Sequence, residues 1–160
     1  MKFKLVRIDD RLIHGQVALG WSRAKGIDTI LAVDDVVAKD KFQCSLLKMA
    51  TPPGVKSFIL TADEAEQKVK DGTLEKKKIM LLVKGPETLL KLVEKGFEIS
   101  EVNIGNMRSV GGKTKLLNYV YASDSEISFL KAISAKGIKM YGQAVPDQSG
   151  VDFNEILEKI

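Results

Sequence analysis

The residues with the clearest chemistry lie in one stretch, Arg7-Ile8-Asp9-Asp10-Arg11-Leu12-Ile13-His14-Gly15-Gln16-Val17, which holds the only histidine of the chain. Histidine is the side chain whose ordinary pKa, ~6.5, leaves neutral imidazole abundant near neutrality. Neutral imidazole attacks phosphorus readily and leaves it readily, so a phosphoimidazole suits onward transfer better than storage. Arg11, three residues earlier, can make a two-pronged contact to phosphate oxygens. Gly15 allows close backbone approach, and a helix starting near Gln16 adds amides that lack internal partners and a positive dipole end. In this reading His14 is nucleophile and carrier and Arg11 is the charge clamp. Asp10 orients the imidazole or Arg11, and Gly15 and Gln16 join Arg11 in binding phosphate. The same residue types also fit a plain helix start, with His14 as cap or packing residue, Arg11 as surface charge and Gly15 serving only the turn. On residue types alone both readings stand.

Such a loop works only at the end of a strand and the start of a helix, and the surrounding pattern supplies both. The run over residues 2–8 reads as a strand, and Val17, Ala18, Trp21 and Ala24 recur at helical spacing up to Gly26. Strands follow over Asp28–Val33, Val55–Leu60, Ile79–Val83, Glu101–Ile104, Leu116–Tyr121 and Ile138–Gln143. Between them the spacing predicts a helix over Val36–Ala50, with Phe42, Leu46 and Met49 on one face. Further helices open at Thr61-Ala62-Asp63-Glu64, at Gly85-Pro86-Glu87 and at Ser123-Asp124-Ser125-Glu126. Pro146–Gly150 reads as a loop, and Phe153, Ile156, Leu157 and Ile160 face the core from a last helix. The expected architecture is α/β, a doubly wound, mostly parallel sheet of about seven strands with helices on both faces. No helix separates the fifth and sixth strands, so the sixth is expected to be antiparallel near an edge. All the βα loops then share one rim, which gathers His14, Asp34-Asp35, Thr61, Lys84-Gly85 and the loop of Asn106 and Arg108.

The composition fits one domain over residues 1–160, with 44% hydrophobic residues to build a core. No apolar run approaches the ~20 residues of a membrane span, and Met1-Lys2-Phe3-Lys4 leads into a strand rather than a signal-peptide core. Cys44 is the single cysteine, fits a reducing compartment and reads as a small core residue. The net charge of +4 is scattered and not interleaved with aromatic residues, which argues against nucleic acid as a partner. Lys76-Lys77-Lys78 reads as a solvated strand entry and Trp21 as a core anchor. Asp34-Asp35 reads as a helix start rather than a metal site, and with one histidine and one cysteine no mixed metal cluster is expected. A dinucleotide GxGxxG is absent after the first strand, and Gly111-Gly112-Lys113-Thr114 lacks the first glycine of a phosphate-binding GxxxxGK[ST] loop. A phosphoaspartate receiver would carry an aspartate at the end of the third strand, where Leu60-Thr61 stands.

The string from Arg7 to Val17, followed by Trp21, closely resembles enzyme IIB of the mannose/fructose/sorbose family of the bacterial sugar phosphotransferase system. The likeness runs the length of the chain: Asp34-Asp35 follows the second strand, and Asn103-Ile104-Gly105-Asn106-Met107 resembles the family's glycine-containing segment. The resemblance implies that phosphorylated enzyme IIA passes its phosphoryl group to His14, at the imidazole Nδ1. His14 then donates it to a sugar carried through the membrane by the IIC and IID subunits. It matches Arg11 to the phosphate-stabilising arginine and Asp10, Gly15 and Gln16 to the active-site loop. It implies a cytoplasmic protein working at the membrane subunits, with no metal or nucleotide and only a transient phosphohistidine. A homodimer through an exposed sheet edge is compatible with it. Two other function classes are open to the same fold: a regulatory or binding module that docks without turnover, and a small-nucleotide-binding domain that uses the same loop for a ligand phosphate.

Overall fold

The computed structural model describes residues 2–160. Nine strands and six helices follow one another through the described residues: β1 Leu5–Asp9, α1 Gly15–Lys25, β2 Thr29–Val33, α2 Lys41–Met49, β3 Lys56–Leu60, α3 Ala62–Lys70, β4 Ile79–Val83, α4 Pro86–Glu94, β5 Glu101–Asn106, β6 Thr114–Leu117, β7 Val120–Ala122, α5 Asp124–Ala135, β8 Lys139–Gly142, β9 Val151–Asp152 and α6 Phe153–Glu158. Seven of the strands form one sheet in the order β3-β2-β4-β1-β5-β8-β9. All its pairings are parallel except β8 with β9, which is antiparallel at the edge. No described helix is long and apolar enough to cross a membrane.

Strand periodicity divides the core into two layers. Ile30 and Ala32 of β2 and Met80 and Leu82 of β4 join Ala18 and Trp21 of α1 and the partly buried Leu47 of α2. Their neighbours Leu31, Val33, Ile79, Leu81 and Val83 point the other way, toward α3, α4, α5 and α6. Alternate residues of one strand thus feed different helix layers, as a doubly wound sheet requires. Both expected capping boxes form, with Thr61 and Glu64 closing the start of α3 and Ser123 and Glu126 that of α5.

The structure corrects several expectations. The run Leu116–Tyr121 is not a strand of the main sheet. It folds back at Asn118-Tyr119 into the β6–β7 hairpin, a separate two-stranded sheet joined by a bridge from Val120 to Met107, the residue just past β5. Asparagine within an apolar run is the turn residue. The antiparallel edge strand is instead β9, two residues from a stretch with no apolar pattern to mark it. The helix expected over Val36–Ala50 is broken: a 3-10 turn spans Val37–Lys39, and Asp40 then caps α2 by accepting from the Phe42 and Gln43 amides. Phe42, Leu46 and Met49 do share a face, but it is the outer one. Cys44 is half-buried, with Sγ donating to the Val37 carbonyl at 3.3 Å. Ile160, expected in the core, is exposed because α6 ends at Glu158.

Candidate functional site

The chain leaves β1 at Asp9 and enters α1 at Gly15, so the intervening loop sits at the carboxyl rim of the sheet. Its turn is closed by the Leu12 amide donating to the Asp9 carbonyl at 2.9 Å. Leu12 has φ +56, a conformation a bulky residue adopts only when something else holds it. Burial of Leu12 and Ile13 beneath α1 and the 3-10 turn provides that hold. The next residue, His14, emerges exposed. It occupies the N-cap of α1 with extended backbone, makes no side-chain cap bond, and is followed by a first turn without acidic residues. Gly15 and Gln16 are exposed beside it. The opening amides of α1 are therefore uncapped next to an exposed imidazole, an arrangement suited to receiving an anion.

Arg11 is fixed by Asp9. Its Nε donates to Asp9 Oδ1 at 3.0 Å, its Nη2 to Oδ2 at 2.9 Å, and its backbone amide to Oδ1 at 3.0 Å. These bonds hold the guanidinium above its ordinary pKa, and Nη1 has no hydrogen bond among the described residues. Asp9 is itself buried and receives a second guanidinium, Arg7 Nη2, at 3.3 Å.

Arg7 is the residue that sequence reading passed over. It lies inside the apolar run of β1 and is 1% exposed. Its Nη1 donates to Asn103 Oδ1 and, at 2.9 Å, to the Gln143 carbonyl; its Nη2 reaches the Ala144 carbonyl at 2.9 Å. The Trp21 ring covers it, 5.2 Å from Cζ to the centroid, so the expected core anchor also seats a buried cation. Burial pushes the Arg7 guanidinium below its ordinary value while Asp9 pulls it back up. Gly105 makes room: the β1–β5 register shifts there, and a Cβ at that position would collide with the guanidinium. The one signal in the sequence is a charged residue inside the otherwise apolar run of β1.

Asp10 does not hold Arg11. It accepts from Asn106 Nδ2 at 2.6 Å and from the Arg108 backbone amide and Nε at 2.7 and 3.0 Å. The two consecutive carboxylates thus divide the work, Asp9 setting Arg11 and Asp10 tying the loop after β5 to the rim. Asp34 caps the 3-10 turn through the Val36 and Val37 amides, and Asp35 joins the Ala62 amide to Lys91. A groove of about 520 Å³ runs along this rim, with Asp10, Asp34, Val36, Lys84, Arg108 and Val110 in its walls.

The family model described as "PTS system sorbose subfamily IIB component" matches residues 3–160. The chain is 33% identical over 160 residues to the "PTS system mannose-specific EIIAB component" of Escherichia coli strain K12, covering 100% of this chain and 50% of that one. It therefore spans about half the length of that relative. It is 35% identical over 145 residues to the "N-acetylgalactosamine-specific phosphotransferase enzyme IIB component 1" of the same strain, covering 89% and 90% of the two chains. The crystal structure of the IIBSor domain of the sorbose permease from Klebsiella pneumoniae superposes with a TM-score of 0.94 at 29% identity, covering 99% of this chain and 98% of that chain.

Proposed function

This chain belongs to the sorbose subfamily of IIB components of the sugar phosphotransferase system, and from that premise we propose that His14 is a phosphoryl carrier. A phosphohistidine of enzyme IIA is the donor. A neutral His14 nitrogen attacks phosphorus in line, one N–P bond forms as the donor's N–P bond breaks, and the donor imidazole leaves neutral. Each ring keeps the proton on its other nitrogen, so no separate acid or base is needed. In the second step a sugar hydroxyl oxygen bonds to phosphorus as the His14 N–P bond breaks; His14 leaves as neutral imidazole and the hydroxyl proton passes to water, giving a sugar phosphate. The IIC and IID subunits present that sugar, and the protein works from the cytoplasmic side of the membrane.

The observation that supports this reading most is the exposed His14 at the uncapped start of α1, with Arg11 held nearby in the same loop by Asp9. Phosphoryl transfer needs alignment and charge stabilisation more than covalent help from the protein. The amides of α1 and the free edge of Arg11 supply donors that strengthen as charge spreads over the equatorial oxygens. Asp10 acts by holding Asn106 and Arg108 in place; Gly15 and Gln16 contribute backbone at the helix start. The test is a chase. Phosphorylated protein mixed with membranes containing IIC and IID and a labelled sugar should yield sugar phosphate. His14→Ala protein should yield none, and sugar phosphate formed at the normal rate by that variant would reject the proposal.

A further inference from the structure

Eight large hydrophobic side chains are exposed among the described residues, and four of them lie on the single segment between β2 and β3: Val36, Phe42, Leu46 and Met49. Phe42, Leu46 and Met49 fall at i, i+4 and i+7, one stripe along α2, at 72, 48 and 82% exposure. The opposite side of the helix is already used. Leu47 and Ala50 pack on the core, and Cys44 bonds the Val37 carbonyl. The stripe is therefore a second apolar face of a helix whose first is satisfied, and it covers nothing within the chain.

Its place relative to His14 says what covers it. One end of the segment, Val36, lines the rim groove with Asp10 and Arg108. At the other end, the Ala50 carbonyl lies 4.0 Å from where a Cβ on Gly15 would stand, beside His14. Both ends of the segment thus lie beside the His14 loop, one near Asp10 and the other near Gly15. Any donor that delivers phosphorus to the imidazole must bring its own surface over this rim. Lys39, Lys41 and Lys48 are exposed along the segment, and its three acids are engaged within the chain, Asp34 capping the 3-10 turn, Asp35 joining the Ala62 amide to Lys91, and Asp40 capping α2. A cationic border around an apolar stripe complements a surface that carries a phosphoryl dianion.

We propose that the Phe42-Leu46-Met49 stripe of α2 is the docking face for the phosphohistidine-bearing donor, enzyme IIA. The proposal rests on the phosphocarrier reading of His14 and adds the surface through which the donor is recognised. Docking buries the stripe against apolar donor residues, while Lys41 and Lys48 steer the approach.

Phe42→Gln and Met49→Gln test it, since both side chains are exposed and the helix tolerates glutamine. The full chain is phosphorylated by phospho-IIA over a range of donor concentrations, and separately by phosphoramidate, a small donor needing no docking face. The double variant should raise KM for phospho-IIA at least tenfold, as loss of an aromatic anchor does, with kcat at saturating donor and the phosphoramidate rate both unchanged. The calorimetric Kd for unphosphorylated IIA should weaken by the same factor. An unchanged KM and Kd overturn the proposal. If those stay unchanged while transfer to sugar in vesicles holding IIC and IID is lost, the stripe belongs to the membrane subunits and the proposal is equally overturned. Failure of the unaltered protein to take label from either donor instead rejects the carrier reading beneath it.

Discussion

The Asp9 carboxylate grips Arg11 through both oxygens, Oδ1 to Nε at 3.0 Å and Oδ2 to Nη2 at 2.9 Å. The pair is two residues apart in sequence, yet its geometry depends on distant parts of the chain. Asp9 is held from behind by Arg7, and Arg7 is held by Asn103 of β5 and by the carbonyls of Gln143 and Ala144 after β8. The clamp at the rim is therefore the visible end of a buried polar network seated under Trp21.

Arg11→Ala should slow phosphorylation of His14 by about 10²–10³, the cost of removing a donor aimed at transition-state charge. Arg11 is partly exposed, with 34% of its side chain accessible, so thermal unfolding should shift little. Arg11→Lys should recover only part of the rate, because an ammonium cannot engage Asp9 and phosphate with fixed forks. Stopped-flow labelling alongside thermal melts separates the two effects. Equal losses of rate and stability would count against the clamp role.

Asp9→Asn has a different signature. It leaves the Arg7 guanidinium, 1% exposed, without its anion. Breaking a buried pair by removing one partner costs about 3–5 kcal/mol, and denaturant unfolding should show a loss of that order. The labelling rate should fall as well, because Arg11 loses its anchor. A variant as stable as the parent would mean that Asn103 and the two carbonyls suffice to hold Arg7.

Gly105→Ala tests the network from the strand opposite. Gly105 carries no positive φ, so the glycine is required by space: a methyl group there meets the Arg7 guanidinium. Overpacking of this kind costs about 1–3 kcal/mol. The melting temperature should fall, and Arg11 should lose order in a crystal structure of the variant. An unshifted melt would show that Arg7 can move aside freely.

Asp35 offers a pH test. Its hydrogen bond to Lys91, then that to the Ala62 amide, lowers its pKa from the ordinary 3.8. A carboxylate held low in the folded state stabilises it above the unfolded pKa, and that contribution is lost as pH falls through the folded value. Asp35→Asn should therefore cost up to ~1 kcal/mol at pH 7, the level of a solvent-exposed pair. The difference from the parent should close as the pH drops below 3.8. Melts at pH 7 and in the acid range check it; a gap that persists in acid would assign the effect to something other than charge.

Much of this was legible locally. The His14 loop, the β1 strand before it, both capping boxes and the parallel order of strand and helix each rest on residues a few positions apart. What was not legible depends on partners far along the chain. Arg7 looks like a polar interruption in an apolar run until β5 and β8 bring Asn103 and the Gln143 carbonyl beside it. From sequence Asp10 can orient either the imidazole or Arg11; its partners in the fold, Asn106 and Arg108, lie at the end of β5 and just beyond it. Helical spacing grouped Phe42, Leu46 and Met49 but could not tell inside from outside, since Leu47 and Ala50 give α2 a second apolar side. A two-residue strand such as β9 carries no periodicity to read.

The phosphoryl carrier proposed here is the His14 imidazole. Incubation with phosphoenolpyruvate, the general phosphotransferase proteins and the cognate IIA, followed by peptide mapping, tests it most directly. One acid-labile, base-stable phosphoryl group is expected on His14 and none on His14→Ala protein. Label that persists in His14→Ala, or a folded parent that binds IIA and takes up none, would contradict it.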